Sequence, residues 1–178
     1  MTVFNTADLW DDHQDIQIAE PIFKSYGKKK KFFGKIRTVD VIDDNSYVKK
    51  LVNEKVKGDV IVIDGKGSTK CALIGDNLAR IASENGWSGF VINGCIRDSE
   101  IISTIEVGIK AINVVPNKSD KKDVGEYKKE LSFANIIFKE GEYLYSDSDG
   151  VLTSKELILN DIIASEDSLI PYRLASCI

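Results

Sequence analysis

Two hydrophobic patterns alternate along the first two thirds of the chain. Apolar side chains recur at helical spacing in some stretches, and continuous or β-branched apolar runs, typical of buried strands, fill others. Helices are predicted at 6–13 and 76–85. A further helix is capped by Asn45 or Ser46 and broken at 57–59, and another begins at Asp98-Ser99 and ends at Gly108. The predicted strands are 36–42, 60–63, 71–74, 89–92 and 111–115. Strands that alternate with helices in this way predict a mixed α/β architecture.

The pattern changes after Pro116. Residues 117–130 are strongly polar and rich in lysine. Such a composition predicts a surface loop or a lid-like insertion, and a disordered segment fits it equally well. The interpretation therefore stays open at this point.

The last third of the chain has the pattern of a small antiparallel unit. A strand is predicted at 135–139, and the runs 143–145 and 151–152 flank a polar turn that contains Asp-Gly, the sequence of a tight hairpin. Residues 157–178 are mixed in character and are expected to cover the core or an interface. The whole pattern predicts one α/β (mixed α+β) domain that spans residues 1–178.

Composition narrows the class of protein. The chain has 178 residues, 43% of them hydrophobic, which suits one globular domain with a substantial core. A net charge of −4 argues against a general nucleic-acid-binding role, which favours a basic domain. Neither a signal peptide nor an apolar run of about 20 residues is present, so we expect a protein without membrane association. The three cysteines show no metal-binding spacing, which is typical of reduced thiols in the cytoplasm.

Several short motifs fit ordinary structural roles better than ligand sites. Lys28–Lys31 could bind phosphate or an acidic partner, but a solvated turn is favoured for so short a run. Gly65-Lys66-Gly67 lacks the spacing of a phosphate-binding loop and is predicted to form a glycine turn near the site. The acidic turn at 146–150 lacks the later glutamate of a calcium loop.

Three charged residues that could bind a ligand are predicted to lie at the ends of a helix and of the strand that follows it. Asp76 opens a predicted helix, and twenty residues separate it from Arg97 and Asp98, which follow the next predicted strand. The two ends of this helix–strand segment can therefore meet at one site. Magnesium accepts one or two carboxylates and keeps several waters, so Asp98 is a candidate metal ligand. The absence of a histidine cluster argues against zinc.

The same segment offers groups that bind anions. The planar guanidinium of Arg97 suits a substrate carboxylate. The free backbone N–H groups of Asn77 and Leu78, at the start of a helix, also favour an anion. Asp76 could orient or deprotonate a water molecule on the metal.

Two questions remain open on spacing alone. Asp98 points away from Arg97 if the strand continues through both residues, and toward a shared site if the strand has already turned. A purely structural interpretation is also available, in which Asp76 and Asp98 are helix caps and Arg97 is an ordinary ion-pair partner. Spacing alone favours this structural interpretation.

The segment resembles the family that contains the class II 4-hydroxy-4-methyl-2-oxoglutarate/4-carboxy-4-hydroxy-2-oxoadipate aldolases and the RraA regulators of ribonuclease activity. The aldolase signature is an aspartate, twenty residues and then Arg-Asp, which Asp76, Arg97 and Asp98 match. The flanking stretches also match the family, and the resemblance covers nearly the whole chain. The matching stretches are 75–79 and 86–94, and those that look like the RraA branch in particular are 6–11, 20–23 and 62–68.

The resemblance implies a fold, a metal and a role for each residue. The fold would be an RraA-like swivelling β/β/α domain assembled as a homotrimer. Asp98 would ligate a divalent metal cation, Mg²⁺ or Mn²⁺, and Arg97 would bind the substrate and stabilise the pyruvate enolate. Asp76 would position the water that relays protons, and the backbone of Gly75, Asp76, Asn77 and Leu78 would hold the pyruvate carboxylate.

The resemblance implies two functions of different classes. The first is metal-dependent aldol cleavage of 4-hydroxy-4-methyl-2-oxoglutarate-type keto acids to pyruvate, with oxaloacetate decarboxylase side activity at the same site. The second is a protein regulator that binds and inhibits ribonuclease E. Members of the regulator branch typically lack one or both acidic residues of the signature, so the intact triplet favours the enzyme. A metabolic relative with an unrelated keto-acid substrate is a third possibility.

Overall fold

The computed structural model describes residues 4–159, which form a large mixed sheet with short helices on one side. The helices are α1 (Thr6–Asp12), α2 (Ser46–Val52), α3 (Asp76–Glu84) and α4 (Ser99–Ile102). The strands are β1 (Gln17–Ile18), β2 (Lys24–Ser25), β3 (Phe32–Asp40), β4 (Val60–Ile74), β5 (Gly89–Ile96), β6 (Gly108–Val114), β7 (Glu126–Tyr127), β8 (Leu131–Phe133), β9 (Ile136–Phe138), β10 (Tyr143–Ser146) and β11 (Val151–Ser154).

The main sheet has a parallel centre and antiparallel margins. Its strand order is β1-β11-β10-β3-β4-β5-β6-β2, with β7 paired to β3. The pairs β3–β4, β4–β5 and β5–β6 are parallel. The strands β8 and β9 form a separate hairpin. This arrangement confirms the predicted mixed α/β class.

The centre of the sheet is buried on both faces. Along β4, Ile61 and Ile63 belong to the cluster that also contains α2 and α3 residues, whereas Val60 and Val62 belong to a cluster with the β8–β9 hairpin. Successive strand side chains point to opposite faces, so two covered faces require an uninterrupted apolar run. The predicted strand 60–63 is confirmed for this reason.

The predicted break after residue 63 is wrong. The sequence predicts a glycine turn at 64–68 and a second strand at 71–74, but β4 continues from Val60 to Ile74. Lys66 and Gly67 have positive φ angles of 57° and 66°, and the register with β5 shifts between Asp64 and Ser68. The glycines therefore produce a bulge, because β5 supplies pairing partners on both sides of it.

Several predicted bounds also change. β5 extends to Ile96, beyond the predicted end at residue 92, and α4 ends at Ile102 well before Gly108. Residues 131–133 pair with 136–138 as a hairpin that the sequence pattern did not reveal. The prediction for residues 157–178 falls almost entirely outside the described part of the chain.

The lysine-rich segment after β6 is an ordered loop. The Ala72 N–H donates to the Asn117 carbonyl at 2.8 Å. Farther along, the N–H groups of Lys122 and Val124 donate to Asp44 Oδ2 at 2.7 and 3.2 Å. Backbone hydrogen bonds therefore hold the loop at two points, which supports the surface-loop interpretation.

Two further predictions concern the lysine run at 28–31, expected to form a solvated turn, and the cysteines, expected to be reduced. Residues 28–31 are all exposed, as expected for a solvated turn. Lys28 forms an ion pair with Glu106, and the ammonium groups of Lys30 and Lys31 donate to main-chain carbonyls. Cys71 and Cys95 are free thiols. No helix within residues 4–159 has the length and apolar composition needed to span a membrane.

Asp44 is the anchor of the lysine-rich loop, and its ionisation should control stability. Burial opposes ionisation of this carboxyl, but hydrogen bonds from Ser46, Val124 and Lys122 outweigh that effect and lower its pKa to about 2. An aspartate with a depressed pKa stabilises the folded state above its unfolded pKa, and this contribution is lost as the pH falls through the folded value.

We expect Asp44→Asn to lower the free energy of unfolding by about 2 kcal/mol at pH 7, since each pKa unit corresponds to about 1.4 kcal/mol. The difference from the wild type should shrink as the pH falls from about 4 to about 2. Urea titrations at a series of pH values measure both quantities. Asp15→Asn, which removes an exposed carboxylate, serves as the control. A difference that does not vary with pH would contradict the prediction.

Candidate active site

Parallel pairing of β4 with β5 brings the two halves of the predicted site together. Ile74 pairs with Ile96 at the ends of these strands, and the Arg97 N–H donates to the Ile74 carbonyl at 2.9 Å. The next residues, Gly75 on one strand and Arg97 on the other, therefore lie at the same edge of the sheet. The meeting of the two ends of the segment, expected from the sequence, is confirmed.

The backbone at Asp98 turns its side chain toward Arg97. Asp98 has φ 56° and ψ 37°, a left-handed conformation that few residues other than glycine adopt. Arg97 Nε lies 3.3 Å from Asp98 Oδ2, and the Asp76 N–H donates to the same oxygen at 3.4 Å. The two side chains therefore share one site, which answers the question that the sequence left open.

Gly75 leaves the room that this arrangement needs. A Cβ atom at Gly75 would lie 2.8 Å from Asp98 Oδ2 and 3.1 Å from Arg97 Nε. Its φ of −123° and ψ of −177° are open to any residue. The requirement for glycine here is therefore one of space and not of backbone conformation.

The start of α3 supplies anion-binding groups. Asp76 is the first residue of the helix, and its Oδ2 lies 3.7 Å from Arg80 Nε one turn later. The N–H groups of Asn77 and Leu78 make no hydrogen bond within the described residues, and both residues line the adjoining cavity. Free N–H groups and the helix dipole both favour an anion at this point.

Simple helix capping does not explain the two aspartates. Asp98 precedes α4, but its side chain makes no capping hydrogen bond to that helix. Asp76 lies inside the first turn of α3, where Gly75 occupies the N-cap position. The carboxylate of Asp98 is instead directed at Arg97 and at the start of the neighbouring helix, which weakens the structural interpretation.

A cavity of about 410 Å³ opens beside these groups. Four cationic side chains and one anionic side chain line it, together with polar and apolar residues. The lining residues are Asn45, Lys49, Ala72, Gly75, Asp76, Asn77, Leu78, Ile81, Arg97, Lys118, Ser119 and Lys121. A second cavity of about 220 Å³ lies beside Arg97, Asp98 and Ser99. Arg97 lines both cavities and can therefore contact a ligand in either.

The donor set fits a hard divalent cation and does not fit zinc. Within the described residues, no three or more His, Cys, Asp or Glu side chains are grouped as metal ligands. Magnesium and manganese need fewer, because water and substrate oxygens complete their coordination. The side chain of Asp98 is 32% exposed, and its contacts within residues 4–159 all involve Oδ2. Its other oxygen is therefore available to such a cation.

The sequence did not predict which residues would line the cavity on the side away from Arg97. Asn45 and Lys49 come from the start of α2, and Lys118, Ser119 and Lys121 come from the loop after β6. The position of the loop could have indicated its role, because the loop follows β6, and β6 ends at the same sheet edge as β4 and β5. Ligand sites of parallel sheets lie at that edge.

Comparison with known proteins places the chain among close relatives. The RraA-like family model, described as Aldolase/RraA, matches residues 6–153. A protein of Dechloromonas aromatica is 45% identical over 156 residues, which cover 85% of this chain and 96% of that protein. A protein of Arabidopsis thaliana is 43% identical over 161 residues, which cover 87% and 97% respectively. Both carry the provisional name 4-hydroxy-4-methyl-2-oxoglutarate aldolase.

Two solved structures share the fold and have other names. One from Geobacillus kaustophilus, named S-adenosylmethionine:2-dimethylmenaquinone methyltransferase, is 43% identical, covers 88% of this chain and 98% of that one, and has a TM-score of 0.86. The RNA-processing inhibitor RraA from Thermus thermophilis is 37% identical, covers 86% and 94%, and has a TM-score of 0.84. Because similar chains carry such different names, the fold alone does not decide the function.

Proposed function

This chain belongs to the RraA-like family, and on that premise we propose that it is a divalent-metal-dependent aldolase that releases pyruvate from 4-hydroxy-4-methyl-2-oxoglutarate-type keto acids. Oxaloacetate decarboxylation is proposed as a second activity of the same site. The observation that carries the proposal is the convergence of Arg97, Asp98 and the start of α3 at one edge of the sheet, where Arg97 lines both adjoining cavities. The provisional aldolase names of the relatives support it.

The proposed binding step uses the start of α3 and the guanidinium of Arg97. The N–H groups of Asn77 and Leu78 donate hydrogen bonds to the carboxylate of the keto acid, which places the keto oxygen near Arg97. A Mg²⁺ or Mn²⁺ ion, held by Asp98 and water, would supply a Lewis acid that polarises the keto oxygen. Asp98 therefore has two tasks, since its other oxygen orients Arg97.

The proposed chemistry develops negative charge on one substrate oxygen. In aldol cleavage, the C4 hydroxyl loses its proton, the C3–C4 bond breaks, and its electron pair is delocalised onto the keto oxygen. In decarboxylation, the bond to the departing CO₂ supplies the same electron pair. Arg97 stabilises this charge, because its donors are held in place before the reaction begins. Asp76 positions the water that removes the hydroxyl proton and returns one to C3.

The alternative function is binding and inhibition of ribonuclease E. The observation that favours it is the likeness to the RNA-processing inhibitor RraA, at 37% identity over most of both chains. A regulator of this kind acts through its surface and does not need Arg97 or Asp98 for chemistry. The two functions therefore make different predictions for the same variant.

We also propose a homotrimeric assembly with the sites close to subunit contacts. Ile101 and Val114 are each 43% exposed, and both lie beside the spaces that adjoin Asp98. Their exposure beside the candidate site leaves both side chains accessible to another subunit.

Removal of the Asp98 carboxylate should abolish pyruvate release. We expect Asp98→Ala to lower kcat/KM at least about 100-fold for both substrates, because it removes the metal ligand and frees Arg97. Chelation of the divalent metal should have a similar effect on the wild type. Coupled pyruvate assays measure the rates, with the metal-only decarboxylation of oxaloacetate subtracted. Asp12→Ala, which removes an exposed carboxylate, is the control. Equal, metal-independent rates in wild type and Asp98→Ala would rule out the enzyme.

Gly75→Ala tests whether the packing of the site matters. The three atoms nearest to the added methyl group belong to the side chains of Arg97 and Asp98 and not to the backbone, so we expect little change in thermal stability. Displacement of these groups should nevertheless lower kcat/KM about 10- to 100-fold, because small errors in position are costly in catalysis. Gly150→Ala, where the new methyl group meets open space, is the matched control. Full activity of Gly75→Ala would refute the proposed geometry.

A ribonuclease E binding assay decides the alternative. Pull-down and RNA-cleavage inhibition should be measured for wild type and Asp98→Ala. If the chain is the proposed aldolase, we expect neither protein to bind or inhibit ribonuclease E. Equal inhibition by both proteins, without pyruvate release by the wild type, would establish the regulator instead.

A further inference from the structure

We propose that Arg80 is a positioning residue for Asp76, and that it also sets the net charge of the site at which a divalent cation binds. Arg80 lies one helical turn after Asp76 on α3, and within residues 4–159 it lines neither of the cavities that Arg97 lines. It therefore acts through Asp76 and not on the substrate directly. The inference rests on the proposed function, because it assigns a further residue to the same site.

Each of the two carboxylates at the site faces a guanidinium of its own. Asp98 Oδ2 lies 3.3 Å from Arg97 Nε, and Asp76 Oδ2 lies 3.7 Å from Arg80 Nε. The Asp76 N–H also donates to Asp98 Oδ2 at 3.4 Å, which joins the two acidic residues. These four side chains therefore form a site in which two negative and two positive charges cancel.

Arg80 has an acidic residue one turn away on either side and pairs with only one of them. Asp76 lies one turn before it and Glu84 one turn after it, so both could form an i,i+4 pair. Within the described part of the chain, the only ion pair of Arg80 is with Asp76. An acidic residue that precedes its basic partner is the more favourable order, because it agrees with the helix dipole. The sequence of α3 therefore directs this guanidinium toward the site.

The pair restrains the carboxylate of Asp76 and leaves one of its oxygens free. The Asp76 side chain is 22% exposed and lines the larger cavity, and its contact with Arg80 involves Oδ2. Within residues 4–159 this carboxylate has no other ion pair or hydrogen bond. Oδ1 is therefore available to hold the water of the proposed reaction, and Arg80 fixes the direction in which it points. Small errors in the position of such a group lower the rate of catalysis.

Removal of Arg80 has a second consequence, because it leaves the site with one uncompensated negative charge. The site then attracts a divalent cation more strongly, and Asp76 is free to turn toward that cation. The Arg80 side chain is 51% exposed, so water and salt screen its charge and the gain in affinity is modest. The same substitution thus strengthens cation binding and weakens catalysis, whereas general damage to the site would weaken both.

Titration with Mn²⁺ tests the charge effect without turnover. We expect Arg80→Met to bind Mn²⁺ about threefold or more tightly than the wild type at low ionic strength, as measured by calorimetry. Arg80→Lys keeps the charge and should differ from the wild type less than about 1.5-fold. Lys55→Met, which removes an exposed lysine outside the site and changes the net charge equally, is the matched control. An unchanged affinity in Arg80→Met, an equal gain in Lys55→Met, or a wild type that does not bind Mn²⁺ overturns the inference.

Steady-state kinetics test the positioning effect. We expect Arg80→Met to lower kcat for pyruvate release about five- to tenfold and to change KM less than about twofold. KM should be preserved because Arg97 and the N–H groups at the start of α3, which are proposed to hold the substrate, are unchanged. Arg80→Lys should recover most of kcat. An unchanged kcat in Arg80→Met, or a raised KM alone, contradicts the positioning role.

The two measurements separate this inference from the proposed function. If the wild type binds Mn²⁺ but releases no pyruvate, the aldolase proposal fails, and the titration still decides whether Arg80 sets the charge of the site. If the wild type is active and Arg80→Met has the same kcat and the same Mn²⁺ affinity, the inference fails and the aldolase proposal stands. Thermal unfolding should differ little between the variants, because an exposed ion pair contributes little to stability.

Discussion

The parallel pairing of β4 with β5 is the constraint on which the candidate site depends. Adjacent parallel strands end at the same edge of a sheet, so the pairing of Ile74 with Ile96 brings Gly75 next to Arg97 and Asp98. The crossover between these strands is α3, whose first N–H groups necessarily point out at that edge. One element of topology thus supplies an anion-binding helix start, a guanidinium and a carboxylate together.

Two unusual local features at this edge of the sheet permit the contact between Asp98 and Arg97. The left-handed backbone of Asp98 is unfavourable for a residue with a side chain, but it lets the carboxylate reach both Arg97 and the start of α3. The absence of a side chain at Gly75 leaves room for the same contact. The missing side chain at residue 75 and the backbone conformation of Asp98 therefore both serve the contact between Asp98 and Arg97.

The opposite wall of the cavity depends on contacts between distant parts of the chain. Asp44 precedes α2 and fixes the backbone of Lys122 and Val124, about eighty residues later. The carboxylate of Asp44 is therefore expected to affect both the stability of the fold and the position of the loop after β6. Loss of this hydrogen-bonded anchor would loosen the cavity without touching Arg97 or Asp98.

The sequence by itself determined the class of fold and the central residues of the candidate site. Periodicity is a local property, so the helix that starts at Asp76 and the strand that precedes Arg97 could be predicted, and their order placed both ends of the segment at one edge. The spacing of Asp76, Arg97 and Asp98 also carried the family resemblance, which the comparisons confirmed. The bounds were less certain where neighbouring strands decide them. β4 continues through its glycines because β5 pairs on both sides of the bulge.

Only the tertiary structure decided how the site is completed. The side chains of Arg97 and Asp98 share one site because of a single backbone conformation at Asp98, which residue type alone does not predict. The loop that carries Lys118 and Ser119 lies against α2 through hydrogen bonds to Ala72 and Asp44, at sequence separations that no local pattern can encode. Local periodicity specifies elements, whereas the cavity arises from long-range contacts between them.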